Sequence, residues 1–182
     1  QAMRELVFGP LGMRDTTFDF RTALGRNHAS PHGEDADGKM RVSNQSVNLT
    51  IVPYRPAGGV WTSSHDFARY ALLELSKGTL PDGKRLVSET NLVARRQPQV
   101  QIGEDHTYGM GLMVNTRWGT PIVHHGGDLL GYHSDFFILP EHGAGAVILT
   151  NSDNGELIRG PLMRRLLEVL FDGRPEAEGD VA

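Results

Sequence analysis

The chain contains no cysteine, which excludes disulfides, a thiolate nucleophile and cysteine-ligated zinc, and is compatible with export to an oxidising compartment. Lysine is scarce. Lys39, Lys77 and Lys84 are preceded three positions earlier by Ala36, Glu74 and Pro81, so no Ser-x-x-Lys pair can be built, and no tyrosine is followed two positions on by asparagine. There is no excess of positive charge either: 18 basic residues stand against 22 acidic ones, net −4, with the basic ones scattered. That pattern leaves no electrostatic footprint for nucleic acid or an anionic membrane. No apolar run reaches the length needed to cross a bilayer.

What is present is enough for one core. With 182 residues, 38% hydrophobic and 22% charged, the composition is that of a folded chain, read as a single domain over residues 1–173 with a polar, fraying tail over 174–182. Residues 1–8 read as the end of a helix already under way, closed by Gly9-Pro10. Residues 25–56, rich in Gly, Pro and acidic groups, read as surface loop with room for one hairpin. A helix begins at Ser63, with Asp66 completing a capping box and Phe67, Tyr70, Ala71 and Leu75 at helical spacing, and ends at Gly78. Ser88 and Asn91 start a short helix that stops before Pro98.

From residue 108 the period becomes that of a sheet. Residues 108–116, 121–125, 132–139 and 144–151 read as an antiparallel meander separated by Trp118-Gly119, Gly126-Gly127 and Glu141-His142-Gly143. Leu157, Ile158, Leu162, Leu166, Leu167 and Leu170 then form an apolar stripe that should lie across one sheet face. The fold class is therefore α/β of the α+β type, an antiparallel sheet flanked by helices.

The segment richest in chemistry runs from Val123 to Tyr132, where His125-Gly126-Gly127 lies between a short apolar strand and a Gly-aromatic turn. Glycines after a strand let a substrate carbonyl lie against the backbone, with N–H groups aimed at a developing oxyanion. A tight turn between two strands accounts for the same local pattern equally well. His124, His125, His133 and His142 fall close together, yet adjacent His124 and His125 point to opposite faces of a strand and no cysteine supports them, so they read as strand and surface histidines without a metal. Tyr132 either lines a cleft or packs under the turn. Trp61 and Trp118 read as core or edge packing, and Asp66 as a cap.

Four stretches, in order, resemble the serine β-lactamase and penicillin-binding-protein family. Residues Phe8 to Phe18 look like its PLGM-x-DT signature. Arg55 to Tyr70 is similar to its segment AGG followed by ST-x-x-D, a hydrophobic residue and AR. His125-Gly126-Gly127 is similar to its Lys-Thr-Gly or His-x-Gly triplet, and Phe136 to Asn151 to the two strands that follow. The resemblance implies an incomplete β-lactamase/transpeptidase-like fold in which residues 25–56 roof the substrate cleft; a flexible connector remains the other reading of 28–40.

The resemblance also implies that His125 holds the acyl group or tunes proton transfer, that Gly127 and the backbone N–H of Asp128 belong to the catalytic wall, and that Gly126 and Tyr132 bind substrate, without a cofactor. Histidine in place of lysine favours esterases and D-amino-acid peptidases over β-lactamases that need a cationic partner. The family's nucleophile motif, Ser-x-x-Lys, and its Tyr-x-Asn or Ser-x-Asn element both lie upstream of the PLGM segment, where this chain has neither. The expectation is a C-terminal piece of a serine hydrolase, inactive alone, whose partners are a small-molecule or peptide substrate and either its N-terminal part or a second copy. A periplasmic or extracellular bacterial location is implied. The alternative is a noncatalytic binding or regulatory module that retains the fold.

Overall fold

The computed structural model describes residues 1–180. Its centre is a six-stranded antiparallel sheet in chain order: β3 (Val100–Gly103), β4 (His106–Tyr108), β5 (Met113–Asn115), β6 (Ile122–Leu129), β7 (Tyr132–Leu139) and β8 (Ala144–Thr150). A two-stranded hairpin, β1 (His32–Glu34) with β2 (Met40–Val42), stands apart from it. Alternation along β6 and β7 sends successive apolar side chains to opposite faces. Val123, Phe136 and Ile138 pack with Ala71 of α3 (Ser64–Leu75), while Ile122, Phe137 and Leu139 pack with Leu167 of α5 (Arg159–Leu170). Because both faces are covered, the end of β7 reads as a continuous apolar run, Phe-Phe-Ile-Leu, rather than an alternating one.

A third cluster, Phe8, Leu11, Met13, Leu73 and Leu92, joins the N-terminal segment to α3 and to α4 (Glu89–Ala94). The helix starts follow the expected cap chemistry. Ser63 accepts from Asp66 N–H at 3.2 Å and Ser88 from Asn91 N–H at 3.2 Å. Asp19 does the same for Thr22, at 2.6 Å, ahead of α2 (Phe20–Leu24).

Several expectations are corrected. Pro10 does not close the first helix: a π-helical turn, Arg4–Phe8, runs on into α1 (Gly9–Leu11), and the chain leaves at Gly12 with φ +67°. The wider i→i+5 pairing, Gly9 N–H to Arg4 O, makes room for a proline ring that donates nothing. Asp66 does not complete a capping box. It is buried and accepts from Asp15 N–H at 2.7 Å and Thr16 Oγ1 at 2.9 Å, tying the loop before α2 to α3. Alongside, Thr17 and Trp61 exchange both backbone hydrogen bonds, at 2.9 and 2.8 Å, so the two stretches that resemble family signatures dock on each other.

Residues 25–56 are less irregular than their composition suggests, holding the β1–β2 hairpin and a 3-10 helix, Gln45–Tyr54. Residues 108–116 split into the end of β4 and β5 around Gly111, and β3 was not read from the sequence: Val100-Gln101-Ile102-Gly103 is only four residues long and exposed throughout. The sheet-facing side of α5 is made by Met163, Leu166 and Leu167. Leu157 and Ile158 belong instead to a preceding 3-10 turn, whose different period rotates them out of the stripe, and Leu157 is 70% exposed. Where fraying is expected, residues 174–180 fold back on α5: Glu168 accepts from the N–H groups of Glu176 and Ala177 at 2.9 and 2.7 Å. Residues 181–182 of that tail lie outside the described residues.

Candidate active site

The glycines of the His-x-Gly triplet are strand, not turn. β6 runs unbroken through them, with Gly126 opposite Asp135 and Gly127 opposite Ser134. The turn falls at Leu130-Gly131, where Gly131 has φ +70° and a Cβ would lie 2.5 Å from that of Pro31. Two Ser-x-Asn triplets clamp this turn from outside: Asn48 of Ser46-Val47-Asn48 donates to Leu130 O at 2.9 Å, and Asp153 of Ser152-Asp153-Asn154 accepts from Gly131 N–H at 2.6 Å. Asn48 and Asp153 are thereby committed to holding the hairpin, while Ser46 bonds Asn44 and Asn154 is directed to Glu34.

The register determines which amides of β6 are free. Leu129 and Tyr132 close a two-residue turn, so Gly126 and Asp128 direct their N–H and C=O groups away from β7. On that side β5 pairs only with residues 122–124 of β6. The Asp128 N–H therefore points past the end of β5, and the Gly126 carbonyl, on the same side, takes a hydrogen bond from His125 Nδ1 at 2.6 Å.

That bond sets the tautomer of His125. A carbonyl only accepts, so Nδ1 carries the proton and Nε2 accepts from the Tyr108 hydroxyl at 3.1 Å. The rings meet edge to face, 5.9 Å between centroids. His125 and Tyr108 thus form a hydrogen-bonded pair able to pass a proton through Nε2. Tyr108 was not singled out from the sequence: nothing local marks a residue that reaches its partner across the sheet.

On the opposite face of β6, Gly126 leaves the space through which Arg159 reaches across; a Cβ there would lie 2.4 Å from the Arg159 Nη1 atom. Arg159 Nη2 and His133 Nδ1 both donate to Asp128 Oδ1, the latter at 2.5 Å. Burial pushes the Asp128 carboxyl up, but the hydrogen bonds from His133 and Arg159 outweigh it and hold the group below the ordinary carboxylate range. Next to this cluster, Asp135 has a buried Oδ1 without a partner. Burial raises its pKa to about 6, against the opposing pull of Arg159. His124, directed toward His106, is lowered to about 4, chiefly by burial. Among the described residues no three His, Cys, Asp or Glu side chains converge as metal ligands.

The raised pKa of Asp135 predicts a pH-dependent penalty. A folded-state value above the unfolded 3.8 means that its stabilising contribution is complete below pH 3.8 and lost as pH rises through about 6. Asp135→Asn is therefore expected to stabilise the fold by about 1–2 kcal/mol at pH 7.5, after discounting for partial solvent access, and by nothing at pH 3.5. Urea midpoints at the two pH values measure this; an equal effect at both would show that Asp135 is not the titrating group.

Tyr132 both lines a cleft and packs. Its hydroxyl lies 2.6 Å from Ala29 O and 2.7 Å from Gln45 Oε1. Burial raises its pKa to about 12, so it is a neutral donor and not a base. Its ring meets Trp61 edge to face at 5.6 Å. Gly127, Asp128, Leu129 and Tyr132 share a cavity of about 790 Å3 with Phe20, His28 and Trp61. Gly126 and His125 lie outside its lining. The expectation that Trp61 is only packing is thus corrected: its ring forms part of the wall, which required the Thr17–Trp61 pairing to bring it there.

The protein-family model described as Beta-lactamase matches residues 1–170. Penicillin-binding protein 4 of Amycolatopsis lactamdurans is 26% identical over 179 residues, covering 91% of this chain and 45% of that protein. Among solved structures, the octameric penicillin-binding protein homologue from Pyrococcus abyssi superposes with a TM-score of 0.79 at 21% identity, covering 96% of this chain and 38% of its own. D-amino acid amidase from Ochrobactrum anthropi SV3, solved with L-phenylalanine amide, gives 0.68 at 20% identity, covering 93% and 50%. The chain therefore spans half or less of the length of each of these proteins, while the match of the family model over nearly all of it establishes that the chain belongs to the beta-lactamase family, serine hydrolases and their relatives.

Proposed function

We propose that this chain supplies the substrate wall and one oxyanion donor of a serine hydrolase whose nucleophile lies in an N-terminal part of the same protein. The observation that carries the reading is the amide of Asp128, which points away from β7 beyond the end of β5 at the edge of a cavity. In the proposed reaction a serine gives up its proton to the upstream lysine and attacks a carbonyl held against Gly127, the Asp128 N–H stabilises the oxyanion, worth about 2.7–4 kcal/mol for one such donor, and collapse of the intermediate breaks the carbonyl–N or carbonyl–O bond and expels the protonated amine or alcohol. The second donor is the N–H of the serine itself. The acyl-enzyme is then hydrolysed by water, with His125 and Tyr108 in the proton-transfer network. A β-lactam, a D-amino-acid peptide or amide, and a short-chain ester all fit this chemistry.

Labelling tests the reading directly. The complete protein is expected to form a stoichiometric adduct with a fluorophosphonate or a fluorescent penicillin at a serine of an upstream Ser-x-x-Lys, measured by intact mass. Residues 1–182 alone should form none. A saturable adduct on the isolated chain, or no adduct on a complete protein that carries the motif, would overturn it.

The sheet edge supports the same division of labour. Among the described residues β8 pairs only with β7, so the outward N–H and C=O groups of Ala146-Val147-Ile148-Leu149 are open to strand addition. The isolated chain is expected to dimerise through this edge, exchange elements, or bind its N-terminal part. Light scattering across a dilution series, with amide exchange at Val147 to Leu149, measures it. A monodisperse micromolar monomer with those outward amides protected would refute the expectation.

A further inference from the structure

The cavity beside the Asp128 amide is walled by rings. Trp61 stands at their centre: Phe20 at 5.7 Å, His28 at 5.9 Å and Tyr132 at 5.6 Å all meet it edge to face. Ile51, Val60 and Leu149 extend the wall with aliphatic surface. This arrangement suits a flat apolar group, because an additional ring gains both area burial and edge-to-face contact.

Charge narrows the class further. The lining holds two carboxylates, Asp15 and Asp128, against one guanidinium, Arg26. Asp128 takes Arg159 and His133 on the far face of β6, and Arg26 is directed to Asp15 at 3.9 Å and to the Arg14 carbonyl at 3.3 Å. An anionic substituent entering the cavity would meet one guanidinium, Arg26, only where the Asp15 carboxylate stands beside it and offsets its charge. We infer that the cavity walled by Trp61 selects substrates whose acyl part carries a neutral aromatic group. Trp61 is the specificity-determining residue of that site. The inference deepens the acyl-transfer reading and rests on it for the word substrate, but the binding it describes does not require a nucleophile.

That independence makes the test separable. Trp118 lies in the β5–β6 turn, 42% exposed and with the Arg117 guanidinium 5.4 Å from its ring centre, away from the cavity. In a Trp118→Phe background the tryptophan emission reports Trp61 alone. Phenylacetamide, phenylacetate and acetamide are the probes, titrated against the 182-residue chain and against the complete protein. Phenylacetamide is expected to change the emission saturably, phenylacetate to bind about tenfold more weakly or worse, and acetamide to give no saturable change.

Because Trp61→Ala removes the hub of four rings and risks unfolding, Val60→Trp is the second variant. Val60 is 43% exposed and lines the cavity, so a larger side chain there fills the space from outside the core. In the same Trp118→Phe background, binding by Val60→Trp is read from chemical shifts of the ligand and should fall about tenfold. Equal binding of phenylacetamide and acetamide, equal or tighter binding of phenylacetate, or undiminished binding by Val60→Trp overturns the inference. If these binding results hold while the complete protein fails to label with a fluorophosphonate, the acyl-transfer reading falls and the aromatic site stands.

Discussion

Glu74→Ala is expected to lower the stability of the fold by about 3–5 kcal/mol, the usual effect of removing one partner from a buried ion pair. Glu74 is fully buried within α3. Its Oε1 accepts from Arg95 Nη1 at 2.7 Å and its Oε2 from Arg96 Nη2 at 3.0 Å. The Arg96 side chain is only 8% exposed, so alanine at position 74 leaves a guanidinium desolvated and without its carboxylate. Tyr70 belongs to the same network through Arg95 Nη2 at 3.0 Å, and its hydroxyl is pushed up to about 12 by burial first and by the charge of Glu74 second.

The network is what fixes α3 to α4, and α3 in turn covers the face of the sheet from which His125 projects. Urea denaturation should show the full loss, and thermal unfolding a drop of roughly 10 °C. The double variant Glu74→Leu with Arg96→Met should recover most of it, since it removes the more deeply buried of the two stranded charges, while Arg95, 32% exposed, keeps Tyr70 and solvent. A loss below about 1 kcal/mol for Glu74→Ala would mean that water reaches Arg96 when its partner is gone.

On the proposed acyl-transfer reading, His125→Ala in the complete protein is expected to lower kcat/KM by roughly 10²-fold or more through loss of acyl-group positioning or proton transfer. The geometry adds a companion. Tyr108 donates to His125 Nε2, so Tyr108→Phe should lower kcat/KM in the same direction by a smaller factor and change the pH profile, while the double variant should cost less than the two single losses combined. Steady-state kinetics with a chromogenic ester across pH 5–9 measures both. Wild-type kinetics for a folded His125→Ala protein would reduce the triplet to a structural element of β6.

Much of the architecture was legible because it is written in short-range patterns. Short apolar runs bounded by glycine-containing turns placed β6, β7 and β8 in order, serine caps placed the starts of α3 and α4, and the His-x-Gly triplet marked the strand that now borders the cavity. The misplaced features share one cause. Gly126-Gly127 carry the composition of a turn, yet their conformation is set by cross-strand partners, Asp135 and Ser134, and by the need to leave room for Arg159. Asp66 has the spacing of a capping box, yet it spends its carboxylate on a loop some fifty residues earlier, at Asp15 and Thr16.

By itself, then, the amino-acid sequence determined the main helices and strands, the absence of thiol and Ser-x-x-Lys pairs within these 182 residues, and the place of the His-x-Gly triplet after an apolar strand, because periodicity, capping and composition act within a few residues. The tertiary structure alone decided the tautomer of His125, through Tyr108 and the Gly126 carbonyl, and the direction of the Asp128 amide, through the place where β5 stops. It also decided that Trp61 faces a cavity rather than a core. Each of these depends on contacts between residues far apart along the chain, whose geometry is set by the register and packing of whole elements and leaves no mark on the neighbouring sequence.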